Sequence, residues 1–363
     1  MSAIPQHGPS EFPRQPARAD LTPIFERLLR GQSLSAADTT AAFETMISGQ
    51  AHEAEIGAFL ALLATRTPTP EELLGAARVM RAHVDAVPTA IDPDRLIDTA
   101  GTGGAPKTFN VSTVAAVIAA AAGERTIAVA KHGNRSRTGR GSAEVLKELG
   151  VNVDADRPTQ ARCLDEAGVC FCFAIHHHPA TRHVIGARKA LGFATLFNLL
   201  GPLTNPAGAR RQVMGVYADR FVLPIAHALR DLGATRALVV HSRDGLDEVT
   251  LTAPTRIAHV DGGRVWEEEL DPAMLGLHRS TFADLQVRDV RDAASAFRAI
   301  VEGRDAGPRR DMALLNAAAT LMAGGVADTW REGLRLARQA LENGAARNVL
   351  ERLVAISSTT GSA

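Results

Sequence analysis

Aromatic side chains are scarce in this chain of 363 residues: two Trp, one Tyr and 12 Phe make up 4%. A platform that stacks single-stranded bases needs more of them, so that kind of nucleic-acid partner is disfavoured. Cysteine is rarer still. Cys163, Cys170 and Cys172 are an odd, low count, which argues against a disulfide scaffold and for a reducing compartment. Their spacing fits no zinc pattern, and they read as small buried apolar residues. Net charge is absent as well. Forty Lys and Arg cancel 40 Asp and Glu, so no global field favours nucleic acid or an anionic membrane. No apolar run reaches the ~18 residues of a transmembrane helix. The longest, Val114 to Ala122, is short and rich in alanine. Residues 1–20 hold Pro5, Pro9, Pro13 and Pro16 with scattered charges and no apolar core, and are expected to be a disordered tail rather than a signal peptide. The expectation is a cytoplasmic protein with no nucleic-acid and no membrane partner.

What is present is ordinary globular composition, 45% apolar and 22% charged, at a length that suits one large domain plus a smaller one. Residues 21–91 carry only helical patterns. Leu21, Ile24, Phe25, Leu28 and Leu29 fall on one helical face. Ser35 can cap a helix that Gly49 stops, His52 to Ala64 gives another, and Thr69 can cap a third with Pro70 at its first position. After Asp92-Pro93 the rhythm changes. Arg95 to Asp98, Thr126 to Ala130, Val169 to Ala174, Gln212 to Val216 and Arg236 to Val240 read as buried strands. Helices between them are expected over Ser112–Ala122, Gly141–Leu149, Thr159–Ala167, Pro179–Leu191 and Asp219–Leu232. Val249–Thr252, Arg256–Val260 and Arg264–Trp266 look like a later meander, and Val290 to about Ser357 is helical again. The fold class is therefore α/β: a mostly parallel sheet flanked by helices, preceded by a small all-helical unit. The large unit spans residues 92–357.

Four motifs carry chemistry. Leu96 to Gly104 runs an apolar strand into a glycine-rich turn, and a helix starts at Asn110-Val111-Ser112-Thr113. Glycines let backbone approach a phosphate, and amides with a helix N-terminus favour an anion. The plain alternative is a strand-to-helix turn in which Ser112 and Thr113 are caps. Gly101, Gly103 and Gly104 miss the dinucleotide spacing, and Lys107 does not complete a Walker frame. Ala130 to Ser136 follows the next strand, so it leaves the same carboxyl edge of the sheet, where ligands bind in parallel sheets. Lys131 and Arg135 can meet phosphate, and His132 and Asn134 offer groups to a second substrate. Arg137 to Ser142 continue that loop. Asp247 and Glu248 are adjacent carboxylates in a turn, an arrangement that either a divalent cation or an exposed acidic turn would explain. Phe197 to Pro206 contains Gly-Pro and Asn-Pro turns. The helix before it carries His183, Arg188 and Lys189, and Arg188 can receive a carboxylate. His176-His177-His178 is a poor metal site because consecutive side chains diverge, though His178 before Pro179 can lie near a ligand.

Taken together, Gly101 to Gly104, Asn110 to Thr113, Lys131 to Arg135 and Phe197 to Pro206 resemble anthranilate phosphoribosyltransferases, over about Leu21 to Asn343. The resemblance implies transfer of the phosphoribosyl group of 5-phosphoribosyl 1-diphosphate to the amine of anthranilate, in tryptophan biosynthesis, with Mg²⁺. It implies a helical domain, completed by a segment near residues 185–205, and a homodimer formed through it. Gly101, Gly103, Gly104, Thr108, Asn110, Ser112, Thr113, Lys131, Asn134, Arg135 and Thr138 would hold the phosphoribosyl diphosphate. Ser112, Asp247 and Glu248 would bind magnesium. Gly101, Asn134 and Arg188 would contact anthranilate, with His132 and His178 nearby, and no residue is assigned as acid or base. Ala105-Pro106 replaces the usual Asp-Gly in a loop one residue shorter, Ser136 to Arg140 replaces a serine-rich stretch and is also one shorter, and Ala174-Ile175 replaces the usual Ala-Pro. The rival readings are a pyrimidine nucleoside phosphorylase of the same fold, working without metal, and a non-catalytic relative that binds nucleic acid.

Overall fold

The computed structural model describes residues 20–136 and 139–359. Residues 1–19 of the expected tail, and Arg137 and Thr138 of the second loop, lie outside the described residues. Four helices come first: α1 (Thr22–Leu29), α2 (Ala36–Ile47), α3 (Glu53–Ala64) and α4 (Pro70–Ala82). Local chemistry sets their ends. Ser35 Oγ accepts from the Asp38 N–H, and the Asp38 carboxylate accepts from the Ser35 N–H. Such a cap contributes about 1 kcal/mol. Thr69 and Glu72 repeat it for α4, with Pro70 at the first position. Gly49, at φ +79°, turns the chain away after α2. The apolar face of α1 is narrower than expected. Ile24 and Leu28 are buried, but Leu29 is 72% exposed, because it lies about 100° round the helix from Leu28 on a side that no described residue covers.

Strands and helices then alternate: β1 (Leu96–Asp98), α5 (Val111–Ala122), β2 (Ala128–Gly133), α6 (Ser142–Glu148), α7 (Arg157–Arg162) and β3 (Val169–Phe173). Three short helices follow, α8 (Ala174–His177), α9 (Ile185–Leu191) and α10 (Leu196–Leu200), before β4 (Arg211–Gly215), α11 (Val222–Asp231), β5 (Arg236–Ser242), β6 (Thr255–Asp261) and β7 (Arg264–Leu270). The chain closes with α12 (Phe282–Leu285), α13 (Val290–Val301), α14 (Pro308–Ala323), α15 (Trp330–Glu342) and α16 (Ala345–Ser357).

The strands form one sheet in the order β3-β2-β1-β4-β5-β6-β7. Pairs from β3 to β5 are parallel, and β6 and β7 add an antiparallel edge. Chain order reverses at β1, which lies between β2 and β4, so a crevice opens beyond the carboxyl ends there. Alternate residues of β4 and β5 serve two cores. Val213, Leu238 and Val240 join α5 and α13–α16. Met214, Ala237 and Val239 join α11 and the helical layer α1–α4. Among the described residues no helix is long and apolar enough to cross a membrane.

Three sequence expectations need correction. β2 starts at Ala128 rather than Thr126, because Glu124 and Arg125 turn with positive φ, and it runs on to Gly133. Lys131 and His132 are thus strand residues with fixed directions. The helix expected over Pro179–Leu191 breaks at Val184 (φ −112°, ψ −7°), whose side chain drops into the helical core. Val249–Thr252 is not a strand. The Val249 backbone bonds to the Asn316 side chain instead of a neighbouring strand.

Candidate active site

The loop from Thr99 to Asn110 leaves β1 and is pinned at its stem. The Thr102 N–H donates to Gly215 O at the end of β4 (2.9 Å), and the Tyr217 N–H donates to Thr102 Oγ1 (3.0 Å). Gly103 and Gly104 have φ of +63° and +96°, which a side chain would strain. A Cβ on Gly101 would lie 3.2 Å from Asp247 Oδ2. The first turn of α5 faces the same space as this loop, and its Ser112 N–H bonds to the Glu248 carboxylate.

Lys131 points from β2 under that turn. Its ammonium donates to Thr99 O (3.1 Å) and to Ser112 Oγ (3.1 Å), with Thr99 Oγ1 at 3.3 Å. Burial pulls its pKa down, against the pull of Asp98, Glu248 and Asp247. With its donors directed at Thr99 and Ser112, the charge acts on the cleft from behind and orients the Ser112 hydroxyl. Asp98, the last residue of β1, accepts the His132 N–H (3.0 Å), and burial pushes its pKa up to about 6.

His132 and His178 form a buried pair. The Gly201 carbonyl can only accept, so His132 Nδ1 carries the proton it donates there (3.0 Å). His132 Nε2 is then the acceptor for the His178 Nε2–H (3.2 Å). Burial, reinforced by neighbouring imidazoles, pushes the two pKa values down to about 3 and about 4, so both rings are neutral at pH 7.

The second loop is held close by glycine. A Cβ on Gly133 would meet Ser142 Oγ and the Phe171 ring at 2.4 and 2.6 Å. Asn110 Nδ2 donates to Arg140 O (3.2 Å), joining the two loops. The Arg135 guanidinium lies 5.4 Å from the Phe173 ring centroid. Arg140 donates to the Val287 carbonyl.

Asp247 and Glu248 project into the cleft from the turn after β5, in contact with no carboxylate-pairing Arg or Lys among the described residues. Burial raises both pKa values, and the Asp247 charge adds to the rise at Glu248, which reaches about 8. Lys107 in the glycine loop and the Ser112 N–H work the other way. At the far end, the Arg188 guanidinium sits 4.8 Å over the Phe197 ring. The crossover behind it is tied down by Asn205 Nδ2 to Ala130 O (2.7 Å) and Gln212 Nε2 to Pro202 O (2.7 Å).

These parts bound one cleft of about 860 Å³. It brings together Gly101, Gly103, Gly104, Thr108, Asn110, Ser112, Thr113, Lys131, His132, Asn134, Arg135, Arg188, Asp247 and Glu248. His178 is not on its wall but behind His132, and Thr138 lies outside the described residues. Several wall residues lie beyond the sequence motifs. Lys107 completes no Walker frame, yet a lysine in a glycine turn facing an acidic pair is a usable signal. Ile185 and Phe193 add apolar wall near Arg188. Gly215, which packs against Asp247, carries no sequence signal.

Comparison with known proteins agrees in extent and in kind. Residues 93–347 match the Glycosyl transferase family a/b domain, and residues 22–84 match the helical bundle domain of the same family. Anthranilate phosphoribosyltransferase from Rubrobacter xylanophilus is 46% identical over 339 residues, covering 93% of this chain and 97% of that protein. The enzyme from Rhodospirillum rubrum is 46% identical, covering 94% and 97%. In structure, anthranilate phosphoribosyltransferase from Thermus thermophilus superimposes with a TM-score of 0.85 at 37% identity, covering 92% of this chain and 99% of that one. The Saccharomyces cerevisiae enzyme in complex with PRPP and Mg gives 0.84 at 25% identity, covering 94% and 98%.

Proposed function

We propose a mechanism from one premise: this chain belongs to the anthranilate phosphoribosyltransferase family. It transfers the phosphoribosyl group of 5-phosphoribosyl 1-diphosphate to the amine of anthranilate, releasing diphosphate, a step of tryptophan biosynthesis. The observation that carries the assignment of residues is the meeting of the glycine loop, the first turn of α5, Lys131 and the Asp247–Glu248 pair in one cleft.

The acidic pair fits a magnesium ion. Magnesium takes one or two carboxylates and completes its shell with water and substrate phosphate oxygens. Two neighbouring carboxylates pushed above their ordinary pKa are short of positive charge, and Ser112 lies beside them, its N–H bonded to Glu248. Asp247, Glu248 and Ser112 would hold the ion, which neutralises charge on the departing diphosphate. The solved Saccharomyces cerevisiae complex with PRPP and Mg supports this reading.

The protein's own groups do the rest. The C1–O bond of the ribosyl donor breaks early because the ring oxygen shares the developing positive charge. Amides of Gly103 and Gly104 and of the α5 turn, with Lys131 behind them, favour the diphosphate leaving with its electron pair. Thr108, Asn110, Thr113 and Arg135 fix its orientation. Arg188 receives the anthranilate carboxylate, while Gly101, Asn134 and the neutral His132 bound the ring, aligning the amine with C1. Ile185 and Phe193 supply apolar wall. The aromatic amine is neutral at pH 7, so its proton can leave after the new bond forms and no strong base is required.

We assign residues 21–91 and the segment near 185–205 to one unit, and the rest of 92–357 to the other. Val184, Ala187 and Leu196 to Leu203 share a core with α1–α4, which supports that division. A homodimer through the helical unit belongs to the same reading, and light scattering of the purified chain tests it. Activity is tested by the fall of anthranilate fluorescence on adding phosphoribosyl diphosphate and Mg²⁺. No fall, together with phosphorolysis of thymidine, would transfer the chain to the phosphorylases.

A further inference from the structure

We infer that Asn316 of α14 is a positioning residue for the Asp247–Glu248 pair. The inference rests on the reading of that pair as the magnesium–diphosphate seat. Asn316 is 2% exposed and stands in the otherwise apolar or small run Met312 to Leu321, where a buried amide is costly unless fully bonded. It is fully bonded. Its Oδ1 accepts the Val249 N–H (3.0 Å), and its Nδ2 donates to Val249 O (2.7 Å) and Met312 O (2.9 Å).

Val249 directly follows Glu248 and is buried, and its backbone has no strand partner. The Asn316 amide takes the strand's place, holding one residue's N–H and C=O from an element 67 positions further along the chain. The other side of the turn is held by shape. A Cβ on Gly215 would lie 1.7 Å from Asp247 O, so only glycine lets the turn seat there. The space behind the carboxylates is about 10 Å³, lined by Thr99, Ser112 and Asn316 among others, too little for the turn to settle elsewhere. Hydrogen bonds on one side and a bare backbone on the other therefore set where both carboxylates point. Groups that orient metal ligands in this way change metal affinity by about 10–100-fold when removed.

The test uses the full chain with Asn316→Ala, Asn316→Asp and Gly215→Ala, and Leu321→Ala as a core control on the same helix. Asn316→Asp keeps the shape but faces two carbonyls with an acceptor. Three quantities are read: the Mg²⁺ concentration for half-maximal turnover, calorimetric binding of inorganic diphosphate at fixed Mg²⁺, and Tm. Both Asn316 variants and Gly215→Ala should raise the Mg²⁺ requirement about tenfold and weaken diphosphate binding to match. Leu321→Ala should lower Tm and leave both readings in place. A folded Asn316→Ala with wild-type Mg²⁺ requirement and diphosphate affinity overturns the inference. Should that variant fail to fold, Asn316→Ser and Gly215→Ala replace it, and wild-type values in both overturn the inference equally. Asp247→Asn separates the two layers. If it too leaves the Mg²⁺ requirement unmoved, the seat itself is wrong; if it moves the requirement while the Asn316 and Gly215 variants do not, only the positioning role falls.

Discussion

Glu72 in the helical layer and Glu248 in the cleft are shielded carboxylates in opposite states. Glu72 is fully buried, and burial alone would raise its pKa. The Arg66 guanidinium, with the N–H groups of Leu34 and Thr69, more than offsets that, so it stays ionised below its ordinary value. Glu248 also loses solvent, but its neighbour is another carboxylate, and its pKa rises to about 8. The helical layer supplies every partner its buried charge needs. The cleft leaves a pair short of positive charge, and that deficit supports the proposed seat for a cation and a diphosphate.

The largest effect that can break this contrast comes from removing the pair. Asp247→Asn with Glu248→Gln should lower magnesium-dependent turnover by at least about 10³-fold. Tm of the metal-free protein should not fall. Unchanged activity would reject the metal seat. Glu72→Gln should do the converse, costing about 3 kcal/mol in urea unfolding because Arg66 loses its partner, with turnover per folded molecule intact. A loss of turnover without loss of stability would erase the distinction. Arg188→Ala should raise KM for anthranilate by roughly 10–100-fold, the worth of a charge-assisted carboxylate contact. An equal rise for phosphoribosyl diphosphate would count against Arg188 as the carboxylate's partner.

The last effect is in pH, and its sign differs between the two residues. Glu248 is protonated in the metal-free fold up to about pH 8 but ionised in the unfolded chain above its ordinary value near 4.5. Between those limits the fold binds the extra proton, so its contribution to stability is lost as pH rises. Glu72, held low, contributes stability that is lost as pH falls through its folded value. Glu248→Gln should therefore raise Tm at pH 8 more than at pH 5 without magnesium, and Glu72→Gln should flatten the acid limb. A Glu248→Gln effect equal at both pH values would contradict the raised pKa.

Most of the architecture was legible because local chemistry governs it. Caps at Ser35 and Thr69 and the apolar runs that became β1, β3, β4 and β5 need only nearby residues. The cleft was legible in part for the same reason: each glycine or charged loop directly follows a strand, so all leave one sheet edge. Illegible features depend on distant partners. Val249 to Thr252 looks like a strand until Asn316, far along the chain, takes over the Val249 backbone. His132 and His178 were expected near a ligand, but Gly201 and their mutual bond decide that only His132 reaches the wall. Arg140 of the second loop is engaged by the Val287 carbonyl, 147 positions further along the chain.

Two glycine-bearing loops and an acidic pair are held to grip one metal-bound diphosphate. Calorimetric titration of phosphoribosyl diphosphate probes that grip without relying on turnover. It compares wild type in Mg²⁺, wild type in a chelator, and the Asp247→Asn, Glu248→Gln double variant in Mg²⁺. Strong binding in the first case alone is the predicted result. Equal affinity in all three would contradict it.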